Sequence, residues 1–113
     1  MAELFWEEKE GVLTARLVVA GQLSEQQIEN VGRELLELLD KTEGQILLDL
    51  QDVEFISSAL LAKLISLHNK CKDSQTELRI CSVPRLVMKV IRIARLDAVL
   101  NICDSVDETP RAD

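Results

Sequence analysis

The clearest change in the spacing of apolar residues lies in the middle of the chain. Apolar residues are nearly continuous from Ile46 to Leu50, which is typical of a short strand covered on both faces. Beyond Ala59 they recur every three to four positions, which predicts an amphipathic helix that continues to about Lys72. Between them lie a polar loop, a second extended piece at 53–56, and two consecutive hydroxyl residues.

The N-terminal third predicts a β-hairpin followed by a helix. Residues 4–8 and 12–19 alternate between apolar and polar positions on either side of a turn-like break, Lys9-Glu10-Gly11. Ser24 and Gln27 fit a capping box, which marks the start of a helix whose end we expect near Gly44. We expect the single tryptophan, Trp6, to pack on the sheet as a strand residue.

The C-terminal part predicts a strand over 77–83, a helix with Pro84 in its first turn, and a short last strand over 99–103. A polar tail follows from about residue 105. Alternating strands and helices of this length indicate an α/β fold, with a mixed, partly parallel sheet, an N-terminal hairpin and flanking helices. We expect residues 1–113 to form a single domain. The predicted buried side of the last helix comprises Leu86, Val87, Val90, Ile91 and Ala94.

Composition excludes several classes of function. A formal net charge of -7 over 113 residues is unfavourable for binding nucleic acid or anionic membranes. No apolar run approaches the ~20 residues of a membrane span, and the acidic start is unlike a signal peptide. We therefore expect a cytoplasmic protein without membrane insertion.

Cysteine and histidine usage argues against a metal or redox site. The three cysteines, Cys71, Cys81 and Cys103, lack paired spacing and lie in apolar segments, which predicts reduced core residues. His68 is the only imidazole, and neither a nucleophile nor an orienting carboxylate accompanies it. The scattered glycines form no phosphate loop. We expect no cofactor, no metal and no catalytic residue.

The segment LLDLQDVEFISSALLAKL, residues 47–64, resembles the signature segment of STAS domains, the family of the bacterial anti-sigma factor antagonists. The Val-Ala-Gly-Gln-Leu run at 19–23 and the order of predicted elements extend the resemblance over the whole chain. It implies a STAS-like fold. It also implies a regulatory partner, an ATP-binding serine kinase that acts as an anti-sigma factor, and a function in releasing the sigma factor by competing for that kinase.

The resemblance also implies where the control site lies. Matching residues 53–56 to the family motif puts Ser57 at its Asp position and Ser58 at its phosphoacceptor position. Ala59 then takes a second hydroxyl position and Leu60 the usual glycine. We therefore predict phosphorylation at Ser58, with Ser57 as second choice. A helix beginning at Ser58 could also use that hydroxyl as its own cap, in which case one serine caps and the other ends the loop.

Two aspartates flank the loop before the serines. Asp49 interrupts an apolar strand, so its carboxylate needs a hydrogen bond, and capping a turn is one role open to it. The alternative is that it shapes a partner surface. Arg85, Lys89 and Arg92 recur along the last helix, either as a solvated face or as a basic stripe for an acidic partner. The predicted partner surface comprises Asp49, Asp52, Ser57, Ser58, Ala59, Leu60 and Lys63.

Two other functions remain open. The same fold could serve as a non-phosphorylated adaptor subunit of a transporter or signalling scaffold. A small-ligand-binding or enzymatic domain with an unrecognised pocket is the alternative from another class. The sequence identifies neither the kinase, the sigma factor nor the stimulus, and it leaves the oligomeric state open.

Overall fold

The computed structural model describes residues 1–103, which form a five-stranded sheet and three α-helices. The predicted polar tail lies outside these residues. A 3-10 helix, Leu38–Lys41, follows the first α-helix. The elements in chain order are β1 (Ala2–Lys9), β2 (Val12–Val19), α1 (Glu25–Glu37), β3 (Gln45–Asp49), α2 (Ser58–Asp73), β4 (Glu77–Cys81), α3 (Arg85–Ile93) and β5 (Ile102–Cys103).

The sheet keeps its strands in chain order, β1-β2-β3-β4-β5. β1 and β2 are antiparallel, and every later pair is parallel. Each crossover moves one strand along in the same direction, so right-handed connections place all three helices on one face. Leu13, Ile46 and Leu78 are register partners on that face, and each is at least 97% buried. The predicted mixed α/β sheet with an N-terminal hairpin is confirmed.

β3 is buried on both faces as predicted, although the helices cover one face only. Leu47 points to the opposite face and is nevertheless 4% exposed. Its register partners on the neighbouring strands are Thr14 and Arg79. A central strand can therefore be buried on both faces even where helices cover only one of them.

The hairpin and the start of the first helix are confirmed, although β1 begins at Ala2 and includes Lys9. Glu10 and Gly11 both have positive φ, 54° and 84°, which matches the twist of a two-residue hairpin turn. Ser24 Oγ accepts from Gln27 N at 3.1 Å, and Gln27 Oε1 accepts from Ser24 N at 2.8 Å, which completes the capping box. α1 ends at Glu37, and the 3-10 helix continues the chain to Lys41.

Gly44 does not end a helix but allows a close backbone approach. A Cβ atom at this position would lie 2.5 Å from the carbonyl oxygen of Gly11. That oxygen accepts from Gln45 N at 3.1 Å, at the point where β3 joins the hairpin turn. A larger residue would push the turn away from the sheet.

α3 differs from its predicted form in its start and in its buried face. Pro84 precedes the helix as its N-cap residue instead of lying in the first turn. Val87 and Ile91 are buried as expected, but Leu86 is 69% exposed and Ala94 is exposed. The helix has nine residues and buries a narrow stripe, too narrow to include Leu86. The flanking strands are shorter than predicted: β4 ends at Cys81, and β5 has only two residues.

The cysteines and the tryptophan differ in how far they are buried. Cys71 and Cys81 are buried free thiols, as predicted, and Cys103 is partly buried. Trp6 lies on the edge strand and remains 45% exposed, with the Lys41 ammonium 5.1 Å from its ring centroid. Within residues 1–103, no helix combines the length and the apolar content needed to cross a bilayer.

Candidate functional site

The loop between β3 and α2 lies at the carboxyl edge of the parallel strands, and backbone hydrogen bonds fix it there. Leu50 N donates to Cys81 O at 3.0 Å, which ties the loop to the end of β4. Val53 forms a parallel bridge with Val19, with Val19 N donating to Asp52 O and Glu54 N donating to Val19 O. The predicted second extended piece therefore pairs with the end of β2 and holds the serines in place.

Both predicted aspartates form contacts within the chain. Asp49 Oδ1 accepts from Gln51 N at 2.7 Å, which confirms the turn-capping role. The Asp52 carboxylate lies 3.3 Å from Arg16 Nη1, and both side chains are roughly half exposed. Such an ion pair contributes little to stability. The contribution of Asp49 and Asp52 to partner binding stays a prediction.

Ser57, not Ser58, caps the helix. Ser57 has an extended backbone, with φ −87° and ψ 166°, and its Oγ accepts from Leu60 N at 3.1 Å. Ser58 already belongs to α2. The prediction that Ser58 is the cap was wrong, because a capping side chain reaches the free N–H groups only from a residue with non-helical backbone. Ser58 is consequently exposed in the first turn, and its side chain is not needed for the cap.

The residues after the serines divide between surface and core. Ala59 is exposed beside Ser58. Leu60 is 1% exposed, so its place in the predicted partner surface was wrong. Its side chain packs in the core because α2 turns it toward the sheet, where Leu64 and Leu67 follow at helical spacing. Leu60 adds no bulk to the surface around Ser58.

Lys63 connects α2 to α1. Its ammonium group lies 2.7 Å from Glu29 Oε2, and its side chain is 27% exposed. A Cβ atom at Gly32 would lie 2.6 Å from Lys63 Cδ, so the glycine makes room for the lysine stem. Lys63 therefore helps to pack the two helices together, and contact with a partner stays a prediction for it.

A small cavity of about 220 Å³ adjoins the serines. The connection between β2 and α1 forms one wall through Gly21, Gln22 and Leu23. Phe55, Ser57 and Ser58 line the other side. Neither this connection nor Phe55 belongs to the site predicted from the sequence. The bend at Gly21 and the aromatic Phe55 between the loop and the serines were the available signals.

The electrostatic surroundings favour an anion at the start of α2. No acidic residue occupies its first turn, and Lys70 and Lys72 lie in its last turn. The free backbone N–H groups and the helix dipole attract negative charge to this end. Among residues 1–103, no group of three His, Cys, Asp or Glu side chains is placed to hold a metal ion. The site is suited to contact and charge recognition.

Solved structures show the same fold at low sequence identity. A STAS domain protein from Planctomyces limnophilus, described as an anti-sigma-factor antagonist, has 20% identity and a TM-score of 0.77, covering 93% of this chain and 92% of that one. A candidate anti-sigma factor antagonist from Thermotoga maritima has 22% identity and a TM-score of 0.79, covering 93% and 89%. An anti-sigma factor antagonist from Mycobacterium paratuberculosis has 17% identity and a TM-score of 0.80, covering 96% and 90%.

Comparison by sequence gives a more specific result. No curated protein matches the chain significantly. The family model described as "Mlab, STAS domain" matches residues 8–102, which include the hairpin, the serine loop and β5. Because the match spans most of the chain and the fold agrees with it, the protein belongs to the STAS domain family.

Proposed function

We propose that this protein is a regulatory anti-sigma factor antagonist controlled by phosphorylation of Ser58. Its partner is an ATP-binding anti-sigma factor that also acts as a serine kinase, and the exchange takes place in the bacterial cytoplasm. The unmodified domain binds this partner and so releases a sigma factor. The protein itself catalyses no reaction and makes no direct contact with nucleic acid. Family membership and the described roles of the structural neighbours support this proposal.

The observation that carries the proposal is the division of roles between the two serines. Ser57 holds the cap through its hydrogen bond to Leu60 N, whereas Ser58 is exposed in the first turn of α2. A phosphate on Ser58 would leave that bond intact. The helix dipole favours the added charge, and the first turn contains no carboxylate to repel it. Modification at Ser58 is therefore compatible with the folded domain.

The phosphate would weaken the binding of the domain to its partner. It adds about −1.5 to −2 charge at neutral pH, and a partner docked over the first turn must desolvate it. Only a difference in affinity between the two forms makes this a signal. We expect the phosphorylated form to bind at least roughly 100-fold more weakly, which corresponds to about 2.7 kcal/mol.

The test combines kinase labelling with binding measurements. We expect incubation with ATP and the anti-sigma kinase encoded near this gene to add one phosphate, detected by intact mass. Ser58→Ala should abolish the addition. Ser66→Ala is the matched control, because Ser66 is also exposed on α2. Loss of labelling in Ser66→Ala but not in Ser58→Ala would contradict the proposed acceptor. Calorimetry with the unmodified and phosphorylated proteins then measures the change in affinity.

A constitutive adaptor is the second candidate function. It is favoured by Ser57, which stands where the family motif has Asp, because this departure removes a negative charge beside the acceptor. An adaptor in a transporter or signalling scaffold would bind its partner through the same surface without modification. Stable complex formation with no phosphate incorporation would support the adaptor. Thermal stabilisation by a metabolite would instead favour a ligand-binding or enzymatic domain.

A further inference from the structure

A second concave surface lies on the other side of Phe55, between residues 54–56 and α3. This groove has a volume of about 290 Å³. Phe55, Leu86 and Ile93 line it and are 56%, 69% and 75% exposed. Val90 forms its floor and is partly buried. Three of the most exposed large apolar side chains among the described residues thus converge on one groove.

The apolar residues that α3 contributes to the groove lie on one face of the helix. Leu86, Val90 and Ile93 are four and three residues apart, so they form a stripe along α3 about 10.5 Å long. Val87 and Ile91 supply the buried side of the helix, Val90 packs only partly against the core, and Leu86 and Ile93 are left exposed. A hydrophobic groove of this kind can accept the apolar face of an amphipathic helix.

One flank of the groove is basic in a chain that is acidic overall: Lys89 lines the groove, and Arg85 and Arg92 lie beside it on α3. Arg85, Lys89 and Arg92 run along the outer side of α3, all three are exposed, and none forms an ion pair with another residue in the described part of the chain. α3 itself contains no acidic residue. The acidic residue that lines the groove, Glu54, accepts from Gly21 N at 3.3 Å, so its carboxylate is held by the β2–α1 connection.

We infer that this groove is a docking site for an acidic amphipathic helix of a partner protein. Apolar side chains of that helix would contact Phe55, Leu86 and Ile93, and its carboxylates would face Lys89 and Arg92. Complementary charges of this kind orient a helix in its groove and reject basic competitors. The inference does not depend on Ser58, because none of these contacts involves that residue.

Other occupants fit the groove less well. A net charge of -7 opposes contact with an anionic bilayer, and the surface is concave. A second copy of this chain could offer the acidic face of α1. However, the apolar residues of α1, Ile28, Val31 and Leu35, are buried in its own core. In a second copy, α1 thus offers carboxylates without free apolar anchors, which favours a helix of another protein as the occupant.

The test uses two labelled peptides of about 18 residues, which form five helical turns. Both carry Leu at positions i, i+4, i+7 and i+11, and one has Glu and the other Lys at the flanking positions. Fluorescence anisotropy should show the acidic peptide binding the full chain at least about 10-fold more tightly than the basic one. Ile93→Ser should weaken binding of the acidic peptide by a similar factor, and so should the double variant Lys89→Glu/Arg92→Glu.

The matched control is Lys70→Glu/Lys72→Glu, which reverses two exposed charges at the far end of α2 and should leave the affinity within about twofold. All altered side chains are exposed, so unchanged thermal melts will show that each variant folds. Equal binding of both peptides, or full affinity in Ile93→Ser, would refute the inference. Binding only to phosphatidylglycerol vesicles would assign the groove to a membrane. A dimer that dissociates in Ile93→Ser would assign it to a second copy.

Discussion

Replacing each serine of the pair by alanine measures which hydroxyl stabilises α2. Ser57→Ala removes the acceptor that lies 3.1 Å from Leu60 N. That N–H belongs to a residue whose side chain is 1% exposed, so water replaces the lost acceptor incompletely. Loss of a serine cap costs about 1 kcal/mol, within a range of about 0.5–2. Ser58→Ala removes an exposed hydroxyl and should change the free energy of unfolding by less than about 0.3 kcal/mol.

Thermal unfolding resolves a difference of this size. Unfolding entropy of about 2.1 cal/mol/K per residue gives about 0.24 kcal/mol/K for 113 residues. A cost of about 1 kcal/mol therefore lowers Tm by about 4 °C in Ser57→Ala, and Ser58→Ala should stay within about 1 °C. Far-UV circular dichroism follows the transition, and urea unfolding of the same proteins gives the free energies directly.

A third variant tests the physical cause. Ser57→Asp offers a carboxylate to the same N–H group and a favourable charge to the helix dipole, so it should remain within about 0.5 kcal/mol of the natural protein. If Ser58→Ala proved as costly as Ser57→Ala, or if Ser57→Asp failed to restore stability, the assignment of the cap to Ser57 would be wrong.

Three further changes probe the core, the hairpin and the buried thiols. Leu64→Ala should lower the free energy of unfolding by about 2–5 kcal/mol, because Leu64 is 1% exposed. Leu86→Ala, at an exposed position, should change it by less than about 0.5 kcal/mol. Equal losses for the two variants in urea titrations would contradict the assignment of Leu64 to the core. Gly44→Ala should lower the free energy of unfolding by about 1–3 kcal/mol, because the new Cβ atom would lie 2.5 Å from Gly11 O. An unchanged Tm would show that the turn can shift to accommodate the methyl group. Burial raises the pKa of the Cys71 thiol from its ordinary 9.0 to about 11. The unfolded chain therefore loses this proton first, and stability should fall as pH rises from about 9 to 11, by at most about 1.4 kcal/mol per pH unit; urea unfolding at pH 8 and 10 should show a smaller drop in Cys71→Ala.

Local patterns in the sequence were sufficient to predict most of the fold. The capping box at Ser24 and the break at Glu10-Gly11 are decided by neighbouring residues, and both agree with the structure. The apolar period after Ala59 likewise predicted the helix that carries the site. These features depend on contacts a few residues apart along the chain, which is why their patterns identify them.

The errors occurred where the outcome depends on residues distant in the sequence. Whether Ser57 or Ser58 caps α2 depends on the loop conformation, which pairing of Val53 with Val19 holds in place. Leu86 fits an apolar helical pattern, yet the nine-residue α3 touches the core with a narrower stripe. The groove beside Phe55 was not predicted for the same reason, because its two walls, residues 54–56 and α3, lie about 30 residues apart in the sequence.

The arrangement of neighbouring strands in chain order has a consequence for how the protein is made. Each strand from β2 to β5 pairs with the one synthesised just before it. A chain emerging from the ribosome can therefore add each new strand to a sheet edge that already exists, without waiting for a distant segment. Only the last addition, the two-residue β5, has few hydrogen bonds to hold it. Assembly should thus proceed from the N-terminal hairpin outward, with the β5 edge as the first place to separate.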